Sequence, residues 1–196
     1  MNTLKYILIL LVATTNICNS QTSKSNTIYS KEFKWTIDIP EGFEKVSAEE
    51  WRKTEDKGAE ALEKTLGQEI VDRAKTIFVF KSGKVNSFES NYQPYDEAKD
   101  GNYLESCKEV NDVLFETFKN QIPNKKIERS SSTEKIDGLV FQTFKVKILL
   151  SNEMELISIM YSRLFGKKEL TVNITYVDEA IGEKMLASWR NSKFKK

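Results

Sequence analysis

The stretch from Lys126 to Val177 constrains the fold more than any other. It holds four extended segments joined by turns too short for a crossover. Lys126 to Ile136 reads as a polar strand, and Asp137-Gly138 after it is a strong hairpin signal. Val140, Phe144, Val146 and Ile148 carry the next strand. Ser151-Asn152 turns into Leu156–Leu164, and Gly166-Lys-Lys turns into Leu170–Val177. In the last segment Leu170, Val172, Ile174 and Tyr176 alternate with polar residues, the period of a strand with one buried face. Strands joined by short turns must pair antiparallel.

Earlier in the chain, Phe33, Trp35, Ile37 and Ile39 alternate with Lys34, Thr36 and Asp38, which predicts another strand. Pro40-Glu-Gly42 ends it, because proline lacks a ladder donor and glycine opens the turn. Ser47 with Glu50 three places on is a capping-box pattern. Trp51, Gly58, Leu62, Leu66, Ile70 and Ala74 then form one apolar helical stripe, which Gly58 or Gly67 could divide. Thr76 to Phe80 is nearly continuous in apolar residues and reads as a central strand covered on both faces. Ser82-Gly83 turns into a further strand, Val85 to Tyr92. Asp100 is placed to cap a helix whose Leu104, Cys107, Val110, Leu114 and Phe118 share a face, and Pro123 stops it. A last helix spans Asp178 to Trp189. The expected fold is α+β: an antiparallel sheet of about six or seven strands covered by three helices, as an α/β/α sandwich.

This order resembles the PsbP-like (Mog/PsbP) superfamily. The resemblance rests on Phe33-Lys-Trp-Thr-Ile-Asp-Ile-Pro-Glu-Gly-Phe43, similar to the family's opening strand and "P-x-G-aromatic" turn. It rests also on Leu170-Thr-Val-Asn-Ile-Thr-Tyr176, the following helix and Ser192-Lys-Phe194. It implies a fold used mostly for non-enzymatic contact with protein partners, and it transfers no functional residue.

The first residues read as an export signal. Met1 to Lys5 gives a positive start, Tyr6 to Ala13 an apolar run of signal length, and Cys18 and Ser20 small side chains before a cut after Ser20. Residues 1–20 are thus the expected signal peptide, 21–30 a polar N-terminal arm, and 31–196 a single domain. Cys18 is alternatively a lipid anchor, although bulky Ile17 stands where such signals carry Gly, Ala or Ser. The expected location is periplasmic or extracellular, with association to the envelope if the chain is tethered.

Composition narrows the chemistry. Lys and Arg number 30 against 29 Asp and Glu, and losing Lys5 with the leader makes the charges equal. That balance argues against nucleic acid as a partner, because phosphate binding needs a concentrated positive field. Histidine is absent, which excludes Ser-His-Asp and Cys-His activation and histidine metal ligation. Cys107 lies on an apolar stripe, where a free thiol packs as a small hydrophobe. Trp35, Trp51 and Trp189 read as core. The acidic pairs Glu49-Glu50, Glu55-Asp56 and Asp178-Glu179 read as solvated faces and caps. Ser130 to Thr133 lacks the glycines of a phosphate loop.

The remaining signal is the aromatic stretch Phe88 to Tyr95 beside Tyr103. Amphipathic tyrosines suit interfaces, so Asn91, Tyr92 and Tyr95 are the candidate binding residues. No catalytic, cofactor or metal residue is identified. The expected function is that of an exported non-enzymatic module that binds a protein partner. Its rivals are a small-ligand carrier with an apolar pocket and a carboxylate-based hydrolase. If Leu114 is core, Leu114→Ala should cost roughly 2–5 kcal/mol in a denaturant melt; no measurable loss would remove the helix reading.

Overall fold

The computed structural model describes residues 26–71, 73–151 and 154–195. The expected signal peptide, Cys18 and Asn152 lie outside these residues. The chain opens with β1 (Thr27–Ser30), β2 (Trp35–Asp38), β3 (Glu44–Val46) and α1 (Ala48–Leu66). Next come β4 (Lys75–Ser82), β5 (Asn86–Pro94), the one-turn α2 (Glu97–Asp100) and α3 (Tyr103–Gln121). The strands β6 (Ile127–Ile136), β7 (Leu139–Leu149), β8 (Glu155–Phe165) and β9 (Lys168–Tyr176) precede α4 (Glu179–Asn191) and β10 (Lys193–Phe194).

Seven strands form one antiparallel sheet in the order β3-β4-β5-β9-β8-β7-β6, and β1, β2 and β10 form a smaller one. The expected run of hairpins is present as β6 to β9. β9 then pairs with β5 over its whole length, with Ser87 opposite Thr175 and Pro94 opposite Lys168.

Local chemistry explains the helix limits. The Ser47 hydroxyl accepts the Glu50 N–H at 3.1 Å, and Gly67 ends α1 in the left-handed region at φ 68°. Gly58 stays inside the helix, so the stripe is not divided there, and Ile70 and Ala74 fall beyond its end. Asn102, rather than Asp100, caps α3, its Oδ1 accepting the N–H groups of Leu104 and Glu105. Asp100 instead closes the α2 turn, accepting the Asp96 N–H at 2.7 Å and pairing with Arg73 at 3.2 Å. The Asp178 carboxylate accepts the Ile181 N–H at the start of α4.

Helices cover both faces of the large sheet. On one, Leu62 of α1 and Val110, Leu114 and Phe118 of α3 pack on Phe144, Val146, Ile148 and Met160. On the other, Met185, Leu186 and Trp189 of α4, with Trp35, Ile37 and Phe194 of the small sheet, pack on Phe88, Phe141, Leu170, Val172 and Ile174. The α/β/α sandwich therefore stands, with α4 and the small sheet sharing an outer layer.

Three expectations are corrected. The strand around Trp35 belongs to the small sheet, where its aromatic face caps the core. The arm expected over 21–30 includes a strand, since Thr27–Ser30 pair with Trp35–Asp38. β4 is next to the edge rather than central, and its register shifts between Thr76 and Phe78.

The approach of α4 to the sheet depends on Gly182. A Cβ there would lie 2.5 Å from the ring of buried Tyr176. Gly182→Ala should therefore cost about 1–3 kcal/mol through overpacking, read as a lowered melting midpoint. An unchanged midpoint would mean that the ring can step aside.

Candidate functional site

Along β5 and β9 apolar and polar residues alternate, and the polar set is Ser87, Glu89, Asn91 and Gln93 with Glu169, Thr171, Asn173 and Thr175. These residues face α1 and α3. None is more than 6 % exposed. The register sets Glu89 opposite Asn173, Asn91 opposite Thr171 and Gln93 opposite Glu169. Ser158 and Ser162 of β8 extend the layer, Ser158 bonding Thr175 at 3.1 Å. A buried polar group must find a partner or cost several kcal/mol, and here the partners come mostly from within the layer.

Glu89 is its centre, 3 % exposed. Its Oε1 accepts the Asn91 amide N–H at 2.6 Å, and its Oε2 accepts the Asn173 amide N–H at 2.7 Å. Burial pushes its pKa up to about 7, against the amide bonds and the facing Trp51 indole, which favour the anion; Glu55 nearby raises it further. Glu55 itself accepts the Thr76 hydroxyl. The Trp51 N–H and the Asn173 Oδ1 are buried without a hydrogen bond of normal geometry.

A second group lies toward the start of α3. Glu169 accepts the Gln93 amide N–H at 2.7 Å, and the Cys107 thiol lies 3.7 Å from the Ser162 hydroxyl. Burial raises the Tyr103 phenol far above its ordinary range, with the Glu169 charge adding to the effect. Cys107 is 9 % exposed, so it packs as its place on the stripe implied.

The structure does not bring Asn91, Tyr92 and Tyr95 together on one exposed surface. Asn91 is buried in the polar layer. Tyr95 is 3 % exposed and donates its hydroxyl to the Gly101 carbonyl at 3.0 Å. Tyr92 points to the opposite sheet face, edge-on to Phe33 and under the Lys168 ammonium. Neighbours along a strand face opposite ways, and this separates Asn91 from Tyr92.

Tyr92 borders, through Phe33, a surface groove of about 330 Å³. Its floor is Phe33, Leu139, Phe165 and Phe194, and its rim Glu32, Lys34, Asp137 and Lys195. A larger groove of about 460 Å³ separates Thr36 to Glu41 from the last turns of α4. Both adjoin the small sheet.

The sequence reading missed Glu89, Asn173 and Trp51 as a unit. The alternation along Leu170 to Tyr176 is visible in the sequence, but a strand with one buried face leaves Asn173 on its solvated side. The requirement that helices cover both faces was the available signal.

In chemistry, a carboxyl titrating near neutrality suits proton transfer, but this one is sealed, with both oxygens occupied by amides. Among the described residues no three of His, Cys, Asp or Glu are placed to hold a metal ion. Among them, too, no helix is long and apolar enough to cross a membrane.

No family model matches this chain, and no curated protein matches it. Among solved structures, the solution structure of cyanobacterial PsbP (CyanoP) from Synechocystis sp. PCC 6803 is similar, with a TM-score of 0.53 and 12% identity. The match covers 92% of this chain and 98% of that one. The chain thus has the PsbP-like fold.

Glu89 gives the protein a pH-dependent stability. Its folded pKa lies above the unfolded value of 4.5, so the folded state holds the proton more tightly. The resulting stabilisation is complete below about 4.5 and is lost as pH rises toward about 7, on the order of 3 kcal/mol in all. Glu89→Gln, with Asn173 turning its amide to match, should remove that slope in urea melts at several pH values. An unaltered slope would place its origin elsewhere.

Proposed function

We propose that this chain is an exported, non-catalytic module of the cell envelope that works through contact with a protein partner. One observation carries the reading. The acid with the chemistry of a catalyst is closed inside the sheet–helix layer, whereas an apolar groove with a charged rim opens to solvent beside the small sheet. The groove floored by Phe33, Leu139, Phe165 and Phe194 has an apolar centre and a charged rim of both signs, the anatomy of a protein-contact patch. Tyr29, 48 % exposed with Lys195 over its ring, extends that rim. The PsbP-like fold supports the reading as a scaffold.

The hydrolase alternative needs two acids facing a common cleft, and Glu89 faces amides instead. The carrier alternative needs an enclosed apolar chamber, and the two grooves beside the small sheet lie at the surface.

The test is capture of partners from the native envelope by the exported protein. The native chain should retain a specific partner, and Lys34→Glu with Lys195→Glu should lower its recovery at least tenfold, the equivalent of about 1.4 kcal/mol. Equal recovery by both would clear this groove of the role. No specific capture, together with thermal stabilisation by a metabolite, would replace the reading with the carrier.

A further inference from the structure

β6 ends the large sheet, and among the described residues no strand pairs with its outer edge. It is ten residues long, and Glu128 to Thr133 are all exposed. Its register with β7 runs without a bulge from Ile127 opposite Ile148 to Ile136 opposite Leu139. The strand has no proline and no glycine. The opposite edge, β3, has three residues. Long flat edges invite another strand, and proteins ordinarily blunt them with charge, proline or bulges.

Two of the four charged residues of β6 are drawn away from the edge, while Glu128 pairs with Lys126 at 2.6 Å. Arg129 bonds Asp112 of α3 at 2.6 Å and lies over the Phe115 ring, and Glu134 takes Arg190 of α4 at 2.7 Å and the Tyr161 hydroxyl. The middle, Ser130 to Thr133, is uncharged.

The turn fixes which backbone groups are free. Asp137 and Gly138 have φ of 49° and 80°, the two positive values of a type I′ hairpin. In such a turn the closing pair, Ile136 and Leu139, exchanges hydrogen bonds. Alternate residues back along β6 therefore bond to β7, and Ile127, Arg129, Ser131, Thr133 and Lys135 turn their N–H and C=O groups outward.

We infer that β6 pairs antiparallel with β6 of a second copy of this chain, joining two seven-stranded sheets edge to edge. This goes beyond the proposed partner contact and does not rest on it. A two-fold axis through such a pair sets one residue opposite itself. Centring on Ser131 sets Glu128 opposite Glu134, and centring on Ser132 sets Arg129 opposite Lys135. Centring on Ser130 sets no like charges opposite each other from Ile127 to Thr133 and places Lys126, which in the single chain pairs with Glu128 at 2.6 Å, opposite the Glu134 that binds Arg190, twice. Lys125 then meets Lys135 only at the ends, where Lys125 already binds the Leu150 carbonyl. Of these three registers the charges favour the one centred on Ser130, in which Arg129 and Ser131 exchange the central hydrogen bonds.

Sedimentation of the purified protein across a concentration series tests this. The native chain should dimerise. Ser131→Pro removes an outward N–H that β7 does not use, a position where an edge strand tolerates proline; it should abolish the dimer while keeping the native circular dichroism. Lys126→Glu, which sets acid against Glu134, should also abolish it and serves if the proline variant does not fold. A native chain that stays monomeric throughout, or a folded variant of either kind that dimerises like the native chain, overturns the inference.

Discussion

Both faces of the seven-stranded sheet are covered, and this one constraint settles where the polar half of β5 and β9 can go. An antiparallel strand with alternating residues ordinarily shows its polar side to water. Here α1 and α3 close over that side. The polar residues become a buried layer, and each must be satisfied by its neighbours. The pairing of Glu89 with Asn173 and of Gln93 with Glu169 across the β5–β9 ladder follows from that need. Such a layer tolerates little change, because removing one partner leaves another unpaired in a low-dielectric interior.

The other face solves its packing with rings. Trp189 of α4 contacts Trp35, Phe88, Phe141, Tyr161 and Phe194, with centroids 5.0 to 6.4 Å apart. One side chain therefore joins the helix, the small sheet and three strands of the large one. Edge-to-face pairs add modestly to area burial, and here they also orient the small sheet, which shares few backbone bonds with its surroundings. The two faces thus differ in kind: one is apolar throughout, whereas the other joins an apolar cluster over β7 and β8 to a buried network of amides and carboxyls over β5 and β9.

Much of this was legible in the sequence. Period-two alternation with short turns gave β6 to β9, and period-four stripes gave the three long helices. Their common limit was the assumption that polar means exposed. It hid Glu89 and placed Asn91 at a surface, when the same alternation applied to a doubly covered sheet puts it inside. The small sheet was hidden for another reason. β10 has two residues and β3 three, too few to show a period, and the strand at Trp35 looked like any half-buried strand. Which sheet it joins depends on contacts far along the chain.

Those distant contacts have a consequence for the order in which the molecule can assemble. β2 meets β10, the Ser188 hydroxyl reaches the Asp38 carbonyl across 150 positions, and the Asp137 carboxylate holds the Phe194 N–H. The small sheet is therefore a seam between early and late segments. Closing it carries the largest loop entropy in the structure. The hairpins β6 to β9 can form from near neighbours, whereas the seam waits for both segments. A chain delivered from one end stays open along this line until its late residues arrive, and only then does Trp35 reach its place against Trp189.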